Sequence, residues 1–156
     1  MPRRGQAPKR KIEPDPRYGN ETLARFINKM MVDGKKSLAQ RIVYDALDSA
    51  AERLNVGPEE VFEQALRNVT PLMEVRPRRV GGSTYQVPME IRADRRRSLG
   101  LRWLVTATRN RSGRSTTEKL ANELMDAFNN SGAAVRRKEE VHRMAEANKA
   151  YSHFRW

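Results

Sequence analysis

The side chains that could carry chemistry are few. His142 and His153 are the two histidines, and no cysteine accompanies them. Imidazole is therefore the only near-neutral acid–base group and the only nitrogen metal ligand available. The two rings lie eleven residues apart on what reads as one C-terminal helix. They share a side of it but stand ~16 Å apart along its axis at the usual rise per residue, too far to share a metal. Adjacent acids occur as Glu59-Glu60 and Glu139-Glu140. Such pairs near helix starts offset the helix dipole or pair with neighbouring cations, and general acid–base catalysis would need a pocket around them. Gly81-Gly82-Ser83 resembles the beginning of a phosphate loop. No Gly-Lys-Ser/Thr follows and no helix begins there, so the cradle geometry is missing. Without a thiol there is no cysteine nucleophile, disulfide framework or Cys-ligated zinc. The expectation is a protein with no catalytic residue, metal or cofactor.

Arginine is different, with 23 copies against 8 lysines. Its planar fork suits bidentate phosphate contacts and stacking on bases. The net charge is +12 over 156 residues, and its distribution is uneven. Residues 1–11 hold Arg3, Arg4, Lys9, Arg10 and Lys11 with no acid, a charge of +5. Residues 76–114 hold eleven arginines against Glu90 and Asp94, a charge of +9. The two stretches exceed the whole net charge, so the remainder carries −2. Clustering of this kind points to a polyanionic partner, and among polyanions to nucleic acid. The histidines then read as surface or RNA-contacting groups. No run approaches the roughly 18 apolar residues of a membrane span, and the first residues lack the apolar stretch of a signal peptide. The chain reads as soluble and unexported.

The elements that must position these arginines can be read from periodicity. Residues 1–19 contain four prolines and two glycines without apolar periodicity, which predicts an extended basic arm. Asn20 is suited to cap a first helix, with Leu23, Phe26, Ile27, Met30 and Met31 on one face and Gly34 as its stop. A second helix spans about Lys36 to Leu54, with Leu38, Ile42, Val43, Ala46, Leu47, Ala50 and Leu54 inward. Pro58, Glu59 and Glu60 open a third, closed by Thr70-Pro71. Alternation then replaces helical spacing. Met73–Val80 and Tyr85–Ile91 read as a β-hairpin around Gly81-Gly82-Ser83-Thr84, carrying Arg76, Arg78 and Arg79 towards its tip. Pro77 and Pro88 forbid a central strand, so the hairpin is expected to protrude as an exposed arm.

A fourth helix, about Asp94 to Asn110, places Leu101, Leu104, Val105 and Thr108 inward. Arg95, Arg102 and Arg109, seven residues apart, form one basic stripe along it. Trp103 falls at the core boundary. Ser115-Thr116-Thr117-Glu118 forms a capping box for a fifth helix, with Leu120, Leu124 and Phe128 inward and Gly132 as its end. A sixth, about Ala133 to Tyr151, places Arg136, Arg137 and Lys138 where Glu139 and Glu140 can neutralise them. The expected fold is mainly α: a single domain, residues 20–156, of six helices with hairpin 73–91 between the third and fourth, preceded by arm 1–19.

These segments together resemble a known family. Phe26-Ile-Asn-Lys29, Asp33-Gly-Lys-Lys36, Arg78-Arg-Val-Gly-Gly82, Tyr85-Gln-Val-Pro88 and Leu101-Arg-Trp-Leu104 occur in the order found in bacterial small-subunit ribosomal protein seven. Glu139-Glu-Val-His-Arg-Met-Ala-Glu-Ala-Asn-Lys-Ala-Tyr151 and His153-Phe-Arg-Trp156 complete a resemblance that covers nearly the whole chain. It implies a structural protein of the cytoplasmic small subunit, a primary binder of the 16S rRNA 3′ major domain that nucleates assembly of the head. It also implies that the hairpin and C-terminal helix lie near the exit-site tRNA and the mRNA path, beside ribosomal proteins nine and eleven. No homo-oligomer is expected.

Carried over by position, Arg3, Arg4, Arg10, Lys35, Lys36, Arg76, Arg78, Arg79, Arg95, Arg102, Arg109 and Arg114 look like rRNA contacts. Arg78, Arg79, Gly81, Gly82, Tyr85 and Trp156 look like the tRNA- and mRNA-facing end. Two positions depart from the family pattern: Ala93, where proline is common, and Thr116, where relatives often have methionine. Composition alone leaves two other readings open, an architectural DNA-binding protein and a nuclease or phosphoryl-transfer enzyme.

Overall fold

Asn20 begins the helical body as its residue type predicts: its side-chain oxygen accepts from Thr22 N and Leu23 N at 2.9 and 3.2 Å. The computed structural model describes residue 5 and residues 10–154. Its elements run α1 (Glu21–Met30), α2 (Lys36–Leu54), α3 (Pro58–Val69), β1 (Met73–Val80), β2 (Ser83–Glu90), α4 (Ala93–Asn110), α5 (Thr116–Phe128) and α6 (Gly132–Ala147). A 3-10 helix, Lys149–Phe154, follows. The fold is mainly helical, with an antiparallel hairpin between α3 and α4, as expected.

At the centre lies α5, which packs against α2, α3, α4 and α6. Leu120 and Leu124 meet Val43, Leu47, Phe62 and Leu104 in one continuous core, all at or below 1% exposure. Apolar spacing of three and four residues creates this arrangement, because it aligns each helix's stripe towards a common centre. Phe26 and Phe62 join α1 to α3 with ring centroids 5.4 Å apart. Where α3 and α4 cross, Gly100 makes room for side chains of the α3 end: a Cβ there would lie 2.9 Å from Thr70 Oγ1 and 3.0 Å from Leu66 Cδ1. Trp103 packs at the core's edge.

Several boundaries differ from the sequence reading, each for a local reason. α1 stops at Met30 rather than Gly34, because Met31 turns extended (φ −57°, ψ 137°), and Asp33 and Gly34 at positive φ then fold the chain back so that Lys35 N reaches Val32 O. Leu38, expected inward, is 48% exposed, and Ala39 takes the buried position beside it. The hairpin turn contains two residues, not four. Val80 pairs with Ser83, and Gly81 and Gly82 have φ of 56° and 87°, as a type I′ turn demands.

α5 ends at Phe128, and Gly132 opens α6 instead of closing α5. α6 in turn ends at Ala147, four residues before Tyr151. Its basic run is mostly not self-neutralised. Arg137 pairs with Glu140, whereas Lys138 Nζ donates to Asn68 O at 2.6 Å and Arg136 Nε to Gly132 O at 3.2 Å.

The segment before α1 is more ordered than its prolines suggest. Asp15, 2% exposed, accepts from the backbone N–H groups of Arg17 and Tyr18 and from the Tyr44 hydroxyl of α2. The Arg17 guanidinium lies 5.2 and 5.3 Å from the Tyr18 and Tyr44 ring centres while hydrogen bonding Asp48 through both terminal nitrogens. An Asx-turn and two aromatic faces thus fix residues 15–19 on α2.

Candidate nucleic-acid interface

The arginine-rich block divides into side chains held by acids and side chains that are not. Glu74, on β1, is 8% exposed and takes two of them. Its carboxylate accepts from Arg76 Nε at 2.6 Å, from Arg95 Nε at 2.9 Å and from Arg95 Nη2 at 2.8 Å. Burial opposes its charge, but hydrogen bonds from Arg95 and then Arg76 outweigh that effect and hold the carboxyl below the ordinary carboxylate range. Arg96 pairs with Glu90 at 2.8 Å. Arg111 bridges Glu123 and Asp126 at 2.8 and 2.7 Å. Glu123, 1% exposed, also accepts from Ala134 N at 3.0 Å, so one buried carboxylate joins the end of α4 to the start of α6. These arginines hold the fold together.

On the basic stripe of α4, Arg95, Arg102 and Arg109 are all exposed. Arg95 is committed to Glu74, and Arg109 Nη2 donates to Met30 O at 3.4 Å, placing a cation at the C-terminus of α1. Arg102 has no side-chain partner among the described residues. The same holds for Arg10, Arg79, Arg92, Arg97, Arg114, Lys29, Lys35 and Lys36. Lys29 of α1 and Arg97 of α4 face each other across a cleft of about 450 Å³. Towards the C-terminal ends of both helices, Lys35 and Arg109 line a second cleft of about 280 Å³, with Val32 and Leu38 exposed beside it. The α1–α4 seam is therefore a groove with cations on both walls.

The hairpin presents a second basic end. Arg79, Gly81 and Gly82 are exposed at its tip, and Arg78 is half-buried. Arg76 lies farther down, opposite Val87. The lower hairpin does not stand clear of the body. Val87 and Pro88 are buried, and Met73 and Pro88 share a groove with His142 and Ala145 of α6. Tyr85 is half-buried, its ring 5.2 Å from Tyr151 and 5.1 Å from Phe154. Arg3, Arg4 and Trp156 lie outside the described residues.

Neither histidine stands on the α1–α4 groove. His142 Nε2 accepts from Leu72 N at 3.0 Å, which ties α6 to the residue before the hairpin. Burial, and then the charge of Lys138, lower its pKa and favour the neutral ring that this bond needs. His153 packs on Phe154 with ring centres 4.1 Å apart. Among the described residues no group of three His, Cys, Asp or Glu side chains is placed to hold a metal.

Sequence reasoning overlooked Glu74, Glu123, Lys29 and Arg97. A carboxylate two residues from Arg76 on the same strand face was the one available hint to the first, since side chains at that spacing are neighbours.

Residues 2–149 match the family described as Ribosomal protein S7p/S5e. Over the full length of both chains, the sequence is 60% identical to small ribosomal subunit protein uS7 of Symbiobacterium thermophilum and of Caldanaerobacter subterraneus. It is 58% identical, again over both full lengths, to that of Teredinibacter turnerae.

Proposed function

Because the chain belongs to the ribosomal protein S7p/S5e family, and so is a structural protein of the small ribosomal subunit rather than an enzyme, we propose that it is a primary binder of 16S rRNA. In this reading it grips the 3′ major domain and nucleates assembly of the head in the bacterial cytoplasm. The observation that carries it is the separation of charges. Arginines with acidic partners brace the hairpin and α4–α6, while Lys29, Lys35, Arg97 and Arg102, without partners among the described residues, lie along or beside the α1–α4 groove. Unneutralised cations on a rigid framework can release counterions from phosphates without first breaking internal pairs.

Arg10 and the basic arm, residues 1–19, extend this grip, and the anchored turn at residues 15–19 ties the arm to the body. Arg3, Arg4 and Arg114 add phosphate contacts. Arg76, Arg95 and Arg109 act from positions set by Glu74 and by the end of α1, so their contacts to RNA are made with the charge already oriented. The hairpin tip, with Arg78, Arg79, Gly81 and Gly82, faces exit-site tRNA and mRNA, and Tyr85 supports it from within the aromatic cluster. Trp156, outside the described residues, is assigned the same tRNA- and mRNA-facing role. Ribosomal proteins nine and eleven are the neighbouring chains.

The test is competition at fixed near-physiological salt between a 3′ major-domain RNA and duplex DNA of equal charge. The RNA is expected to win by at least tenfold. Equal affinity would favour the architectural DNA-binding reading instead. Removal of residues 1–11 is expected to weaken binding and to lower the salt slope by about 0.7–0.9 for each phosphate that the arm neutralises.

A further inference from the structure

The cleft between α1 and α4 has features that phosphate neutralisation does not require. Arg25, Asn28 and Lys29 recur at helical spacing on α1, and Asp94, Arg97, Ser98 and Leu101 do so on α4, so each set lies on one face. The faces oppose each other across about 450 Å³, within the range of small-molecule sites, and Ile12 closes the space from the N-terminal segment. Leu101, 1% exposed, lies at the bottom.

We propose that this cleft receives a single unstacked nucleotide of the bound RNA, its base against Ile12 above the buried Leu101 and its flanking phosphates on Lys29 and Arg97. The proposal deepens the RNA-binding reading and rests on it. A site for phosphate alone has no use for an apolar floor, whereas a base has an apolar face and a polar edge. The Asn28 amide supplies both donors and an acceptor for that edge, and it makes no side-chain hydrogen bond among the described residues. The Ser98 hydroxyl stands across from it in the same cleft. Arg25 is already paired with Glu21 along α1, so Lys29 and Arg97 are the cations left for the phosphates. RNA reading also favours this geometry. Side chains cannot read the deep, narrow major groove of an A-form helix, and sequence-specific recognition instead takes bases splayed out of the stack.

The experiment uses the full chain in amide-detected NMR, titrated with the four nucleoside 5′-monophosphates. Ribose 5-phosphate and inorganic phosphate at matched ionic strength serve as controls. At least one mononucleotide is expected to shift the Asn28, Lys29, Arg97 and Ser98 amides and to saturate at least tenfold below ribose 5-phosphate. Equal responses to nucleotide and ribose 5-phosphate, or shifts spread over arginines outside the cleft, overturn the proposal.

Ser98→Trp fills the cleft without removing a cation. It should abolish those shifts and weaken 3′ major-domain RNA binding by about tenfold, on the scale of one base contact. Asn28→Ala is the second variant should the tryptophan disturb folding, with the same signs expected. Unchanged RNA affinity in a folded variant overturns the proposal. A wild-type chain that fails to prefer RNA over equal-charge DNA refutes the underlying RNA reading, while the mononucleotide titration still decides the cleft.

Discussion

Replacing Glu74 by glutamine removes one charge and keeps the shape of the side chain. The carboxylate side chain is 10% exposed, and those of its partners Arg76 and Arg95 are 47% and 48% exposed. A hydrogen bond to a charged group contributes roughly 1.5–3 kcal/mol when well formed, and solvent screening at the half-exposed arginines reduces this by about half. Counted once for each of the two arginine partners, this puts the destabilisation at about 2 kcal/mol. For a chain of this length that is a fall of about 4–8 °C in Tm, measurable by circular dichroism.

The pH dependence has a definite sign. Glu74 has a lowered pKa in the folded chain, so its stabilisation is full above the ordinary glutamate pKa and is lost as pH falls through the lowered value. The gap in Tm between wild type and Glu74→Gln should close over that acid window. Adding Arg95→Gln to Glu74→Gln should cost less than the two single changes summed, because both break the same ion pair. A Tm shift below about 1 °C, or strict additivity, would refute the view that Glu74 braces the hairpin against α4.

Gly100→Ala sets a Cβ 2.9 Å from Thr70 Oγ1 and 3.0 Å from Leu66 Cδ1, so these side chains must shift, and after the gain in helix propensity the net cost in urea unfolding should be about 1 kcal/mol. Tyr44→Phe removes the hydroxyl that donates to Asp15, and amide exchange at residues 15–19 should accelerate while α5 remains protected. Burial and then the Asp15 bond push the Tyr44 pKa up to about 12, so this anchor should be intact below pH 10 and be lost as pH rises through about 12, seen as tyrosinate absorbance. The lowered pKa of His142 gives the opposite dependence. Its contribution should be complete above the ordinary histidine pKa and fade as pH falls below it, with the protection factor of the Leu72 amide falling in mild acid and His142→Gln levelling the response.

Elements whose cause is local were legible in the chain. Asn20 and Ser115 cap α1 and α5 with their own side chains, Pro58 opens α3, and two adjacent glycines set the hairpin turn. Glu118 shows how far such reading extends. The Ser115 half of the capping box forms, while the Glu118 carboxylate accepts from Arg114 N one residue earlier than the motif predicts. Ala93 has a local explanation too. It is the first residue of α4, the helical position that accepts proline most easily, so the family's proline and this alanine both suit it.

What escaped the sequence depends on distant contacts. Glu74 reaches Arg95 across 21 residues, and Tyr85 meets Tyr151 and Phe154 only when the C-terminus folds back on the hairpin. Lys29 and Arg97 carry no distinguishing signal within their own helices and gain meaning by facing one another. Counting charge in a window identified the block of arginines. It could not tell which of them the fold would occupy.

Hydroxyl-radical footprinting of 16S rRNA with the full chain tests the central claim most directly. Protections are expected to be confined to the 3′ major domain, to be reduced by Arg97→Gln and Arg102→Gln together, and to be retained when Arg111, committed to Glu123 and Asp126, is replaced by lysine in a folded variant. Protections scattered across the other domains, or a pattern indifferent to Arg97 and Arg102, would contradict it.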